Sequence, residues 1–143
     1  MRTDSRLSRM LHVLLHMVRH DGPITSDAIA HMLGTNPVVV RRTMAGLRDA
    51  GYVRSEKGHG GGWAIAVDLE TVSLLDIHHA VGGPRLFAIG NEHPSPDCAV
   101  EKVVNAAVEG ALRDAEHLLI ARLGAVTLAE LAREFDAECI TLR

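Results

Sequence analysis

Apolar residues recur every three or four positions along most of this chain, and glycines and prolines cut the recurrence into segments. Leu7, Leu11, Leu14 and Val18 form one stripe of a first helix, which Asp4 or Ser5 caps and which runs to about His20. Asp21-Gly22-Pro23 ends it, because glycine and proline stop a helix and open a loop. Thr25 or Ser26 caps a second helix, with Asp27 in its electropositive first turn and Ile29 and Leu33 on its apolar face. Gly34 makes the turn. Asn36 caps a third helix, and Pro37 suits its first position, where a missing N–H costs nothing. Val40, Met44 and Leu47 give that helix its buried face, and Ala50-Gly51 closes it.

The pattern then changes period. Tyr52 to Glu56 and Trp63 to Val67 read as paired strands around Lys57-Gly58-His59-Gly60-Gly61-Gly62. Glycines at the tip permit positive φ and close approach of the backbone to a surface. Ser73 and Asp76 have capping-box spacing and open a short helix to about Val81, which Gly82-Gly83-Pro84 breaks. Residues 85–97 are loop-like. A long helix follows from Cys98 to about Leu123, with Val100, Val104, Ala107, Ala111 and Leu118 as an apolar seam. Its length of about 39 Å is too great to bury on a small head, so the seam predicts pairing with a second subunit. Thr127 and Glu130 open a last helix to about Phe135, and residues 138–143 carry no assignment. The expected fold class is mainly α with a small β-hairpin wing: a winged helix-turn-helix plus a long dimerisation helix. The expected domains are a DNA-binding head over 1–83, a connecting loop over 84–97, and a dimerisation helix with a C-terminal helix over 98–143.

Composition narrows this further. At 143 residues and 47% hydrophobic content, the chain is not a disordered polymer. No apolar run approaches the roughly 18 residues of a membrane span, and the N-terminus lacks a signal peptide's apolar core. A soluble cytoplasmic protein is expected. The net charge of −3 argues at first against nucleic acid. Its distribution reverses that. Residues 1–65 hold 9 Lys and Arg against 5 Asp and Glu, whereas residues 66–143 hold 6 against 13. A basic front half fits a DNA-reading head. The two cysteines, Cys98 and Cys139, have no zinc spacing, and no metal is expected.

The helix–turn–helix–hairpin order places chemistry as well as fold. A helix in the major groove presents its first turns to the bases, and here those turns carry Val38, Val39, Arg41 and Arg42. Arginine bonds two acceptors of guanine at once, and valine touches a thymine methyl. Thr25 and Ser26, at a helix N-terminus, are placed for a phosphate. Arg54, Lys57 and His59 edge the hairpin, where a cation enters a narrow minor groove, and Gly58 and Gly60 let the tip come close. The competing reading of Arg41 and Arg42 is a solvated helix face.

The run from Gly34 to Ala66, then VSLLDIHHAVGG, CAVEKVV and VTLAELA, resembles the Rrf2 family of bacterial winged-helix regulators over nearly the whole chain. LRDAGYVRSEKGHGGGW is the most specific part. The resemblance implies a homodimer through the long helix that binds double-stranded DNA at an imperfect palindrome, and the leading reading is a repressor. It places base contacts on Val38, Arg41 and Arg42 and a minor-groove probe on Lys57. Family members usually carry arginine there, so this chain keeps the charge but loses the planar fork.

The family pattern fails at the cluster. Cluster-binding members carry three cysteines around the start of the long helix, and this chain keeps only Cys98. A histidine that serves some members three residues later is Glu101 here. One thiolate per subunit cannot hold an ordinary iron–sulfur cluster, so no cofactor is expected. Cys98 is the candidate redox sensor, because a helix start favours a thiolate. The alternative is a small packing residue. His12, His16 and His20 form one face of the first helix, read as a solvated polar face rather than a metal site. No nucleophile–base or paired-carboxylate arrangement points to an enzyme. The effector is undetermined, a thiol oxidant or a small molecule. The second reading is a protein-interaction module of the same fold that has lost DNA binding.

Overall fold

The computed structural model describes residues 4–83 and 97–141. The expected linker lies, apart from Asp97, outside the described residues. The described elements are α1 (Arg6–Arg19), α2 (Ser26–Leu33), α3 (Pro37–Asp49), β1 (Val53–Glu56), β2 (Gly62–Ile65), a 3-10 turn (Leu69–Thr71), α4 (Leu74–Ala80), α5 (Ala99–Ala125) and α6 (Leu128–Thr141). This is a mainly helical winged-helix fold with one two-stranded antiparallel hairpin.

Local chemistry sets most of the boundaries. Thr25 Oγ1 accepts from the Ala28 N–H at 3.1 Å and starts α2. Asn36 Oδ1 accepts from the Val38 N–H at 2.8 Å, with Pro37 opening α3. Ser73 and Asp76 form a reciprocal capping box, and Thr127 and Glu130 form another. At α1 Ser5 makes no side-chain cap; Asp4 instead accepts from the Arg6 N–H at 2.9 Å.

The core is a single cluster beneath the helix-turn-helix. Val40, Met44 and Leu47 of α3 and Ile29 of α2 are buried, as their periodicity predicts. In α1 the buried arc is rotated from the expected leucine stripe. Met10, Val13, Leu14 and Met17 face the core, whereas Leu7 and Leu11 pack at its edge and Val18 is half-buried. Both flanks of α1 are apolar, and its packing against α4, β2 and α6 decides which is covered. The ladder is shorter than expected, pairing Val53 with Ile65 through Glu56 with Gly62.

The C-terminal helix returns to the head. Leu128 is fully buried in the same core cluster, and α6 packs on α1. Two backbone bonds join the segments that precede α4 and α6: Leu74 N–H to the Val126 carbonyl at 3.0 Å, and Leu128 N–H to the Val72 carbonyl at 2.9 Å. The last helix continues past Phe135 to Thr141, where the sequence carried no assignment. Nothing in α5 is buried within this chain.

Candidate nucleic-acid interface

Turning Val40, Met44 and Leu47 inward dictates what α3 shows to solvent. At about 100° per residue, Val38 and Arg42 lie on the line opposite the core, with Arg41 and Val39 on its two flanks. The exposures agree: Val38 is 56% and Val39 53% accessible, and both arginines are exposed. Neither arginine forms an ion pair or a side-chain hydrogen bond among the described residues, so both charges are available. The far end of the helix differs. Asp49 there pairs with Arg48 at 3.3 Å, and a carboxylate opposes a phosphate backbone. Only the first two turns of α3 present a cationic and apolar surface.

The hairpin is fastened to the start of α2 by three bonds. Ile24 and Trp63 exchange backbone hydrogen bonds of 2.9 and 2.8 Å. Trp63 Nε1 donates to Ser26 Oγ at 2.9 Å. The indole is buried, and Ser26 satisfies the donor that burial would otherwise leave unpaired. Gly62 makes the approach possible, since a Cβ there would lie 2.5 Å from the Ile24 carbonyl oxygen. Ser26 is therefore half-buried with its oxygen accepting from the indole, while Thr25 stays exposed with its hydroxyl oxygen capping α2. Ser26 as the wing's anchor was missed in the sequence. The available signal was a lone tryptophan, whose N–H needs an acceptor, opposite a hydroxyl at a helix start.

At the tip Lys57, Gly58, His59 and Gly60 are exposed, and Gly58 and Gly60 take φ of +92° and +78°. Lys57 and His59 make no side-chain bond among the described residues. Arg54 is placed differently from these cations. It pairs with Glu56 at 3.0 Å and donates to the Ile65 carbonyl at 2.8 Å. Its exposed guanidinium bonds within the hairpin, on the strand face opposite Trp63.

The α5 seam lies open in the single chain. Val100, Val104 and Leu118 are 73%, 53% and 65% accessible, and Ala107 and Ala111 are exposed. Val103, absent from the sequence reading, is 72% accessible beside them. Cys98 is exposed at the start of α5, its carbonyl accepting from the Lys102 N–H at 3.0 Å. Cys139 is half-buried on α6, where Arg19 donates to its sulfur at 3.1 Å and pairs with Asp136 at 2.9 Å. A cluster needs about four soft ligands converging on one point. With one thiol opening α5 and the other engaged by Arg19 on α6, the donor set does not fit one. On α1, His12 and His16 stack at 4.8 Å and His16 meets Phe135 edge-on, so part of that face packs rather than being wholly solvated. His78 is buried.

Comparison with known proteins gives a consistent picture. The Rrf2 family model, described as an iron-dependent transcriptional regulator, matches residues 3–134. YwnA of Bacillus subtilis, named as an HTH-type transcriptional regulator, is 31% identical over 129 residues, covering 90% of this chain and 95% of YwnA. A transcriptional regulator from Lactobacillus plantarum superposes with a TM-score of 0.76 at 20% identity, over 92% of this chain and 90% of its own. IscR of T. potens superposes with a TM-score of 0.67 at 18% identity, over 94% and 88% of the two chains. No described helix is long and apolar enough to cross a membrane. With a cationic helix face, a stapled wing and a family match across nearly its full length, the chain belongs to the Rrf2 family of transcriptional regulators.

Proposed function

We propose that this regulator is a homodimeric repressor that binds an imperfect palindrome in double-stranded DNA. The observation that carries this reading is the outer face of α3, where two arginines without internal partners flank and follow an exposed valine. A soluble head has no packing use for that combination, and a major groove does. Thr25 at the start of α2 supplies a phosphate contact, and Lys57 with His59 on the Gly58–Gly60 tip supplies the minor-groove contact. The open seam Val100–Val104–Ala107–Ala111–Leu118 supports pairing along α5. Its steps of four, three, four and seven residues match a coiled-coil-like stripe. Effector control acts through Cys98 or through a small molecule. Exposure of the thiol at the start of α5 supports the first route.

The test is fluorescence anisotropy with DNA from immediately upstream of the protein's own gene, using reduced protein and protein treated with a mild thiol oxidant. Wild type binds, and Arg41→Ala/Arg42→Ala loses binding while remaining dimeric by sedimentation. A variant that binds as well as wild type removes α3 from the model. Binding lost on oxidation and restored by reductant assigns the switch to a thiol, with Cys98→Ser as the discriminating variant. Equal binding in both redox states retires the thiol route and leaves a small molecule or another protein as the signal.

A further inference from the structure

We infer that Val38 and Arg42 act as one reading unit, and that the half-site this protein selects contains a thymine, recognised by its C5 methyl, about two base pairs from a guanine. The inference rests on the DNA-binding reading above and specifies the chemistry of the bases. Asn36 is the polar side chain at the start of α3, and its amide oxygen accepts from the Val38 N–H, which fixes that side chain at the helix cap. Thr43 is tied to the backbone as well, its hydroxyl donating to the Val39 carbonyl at 3.0 Å. Val39 lies on the flank beside Arg6, Arg9, Leu33 and Thr35, which turns it toward α1 and α2. What remains on the outermost line is a methyl-bearing side chain at 38 and a guanidinium at 42.

In the major groove an exposed isopropyl group finds one apolar feature, the thymine methyl, and a guanidinium finds its two-acceptor partner on guanine. Four residues of helix advance about 6 Å, close to two base steps of about 3.4 Å. Asp49, next on the same line beyond Ala45, bears a negative charge and confines reading to this end of the helix.

The experiment begins with selection of bound duplexes from a random library. The best duplex is then scanned by replacing each thymine with uracil, which deletes the methyl alone, and each guanine with 7-deazaguanine, which deletes N7 alone. At one thymine per half-site, uracil weakens binding about fourfold, the worth of one buried methyl. Val38→Ala shows the same loss on the thymine duplex and no further loss on the uracil duplex. Arg42→Ala is likewise insensitive to 7-deazaguanine at one guanine. Circular dichroism confirms that both exposed-site variants fold. An enriched sequence with a flat uracil scan, or a Val38→Ala protein that still discriminates uracil, overturns the inference while leaving DNA binding intact. No enrichment of any sequence overturns the DNA-binding reading itself.

Discussion

Replacing Gly62 by alanine tests whether the wing is held by its approach to α2 rather than by its own two strands. Gly62 has φ of +151°, and a Cβ on it would sit 2.5 Å from the Ile24 carbonyl oxygen and 2.9 Å from the Thr25 nitrogen. All of these are backbone atoms, so the strain is relieved only by moving the hairpin off α2. That movement breaks the paired Ile24–Trp63 bonds and withdraws Ser26 from the buried indole. At about 1 kcal/mol for each of these three hydrogen bonds, with about 1–2 kcal/mol for a side chain forced into an unfavourable backbone region, the loss comes to about 4–5 kcal/mol. Gly58→Ala is the internal control. Its φ of +92° imposes a similar backbone cost, but nothing lies within 4 Å of the added carbon. It should cost about 1–2 kcal/mol. Urea unfolding of both variants at one protein concentration gives the comparison, since the stability of a dimer varies with concentration. Equal losses for the two variants would refute the stapled-wing argument.

Three further outcomes are expected. Leu128→Ala should lower unfolding stability by about 2–5 kcal/mol, because this fully buried side chain joins α6 to the head's core; a loss under 1 kcal/mol in the same urea series would mean that α6 is not part of that core. Val104→Asp places a carboxylate in the proposed α5 seam and should weaken dimerisation by about 3 kcal/mol or more, over a hundredfold, so a species that sediments as a dimer at micromolar concentration would disprove the seam. Lys57→Ala should lower the slope of log affinity against log salt by about 1, and an unchanged slope would take the wing tip off the DNA.

Features that depend on neighbours in sequence were legible, and features that depend on distant packing were not. The caps at Thr25, Asn36, Ser73 and Thr127 could be read because each involves a side chain and an N–H within three residues. The inward face of α3 was legible because its other faces are polar or lie open to solvent. In α1 apolar residues occur on two flanks, and periodicity alone could not choose between Leu7–Leu11 and Met10–Val13–Met17. The end of α6 escaped because residues 138–141 have no apolar rhythm of their own; their order comes with the packing of Phe135 and Cys139 near Arg19. At the site, exposure and charge at positions 38, 41 and 42 followed from helix geometry. The capture of Arg54 by Glu56 and Ile65, and of Ser26 by Trp63, depends on the hairpin's fold and has no sequence signature beyond residue type.

The two backbone hydrogen bonds between the segments preceding α4 and α6 make α5 a cantilever. Its C-terminal end is clamped to the head, and its N-terminal end, carrying Val100, Val103 and Cys98, projects from that clamp. At 27 residues the arm is about 40 Å long. A tilt of about 5° at the clamp sweeps its tip through about 3.5 Å, close to the rise of one base pair. In the proposed dimer joined along this arm, the same small rotation would change the separation of the two heads by a comparable step. Under the proposed reading, a signal would need neither to unfold the wing nor to hide α3 to release DNA, because putting the two heads out of phase with the helical repeat would be enough.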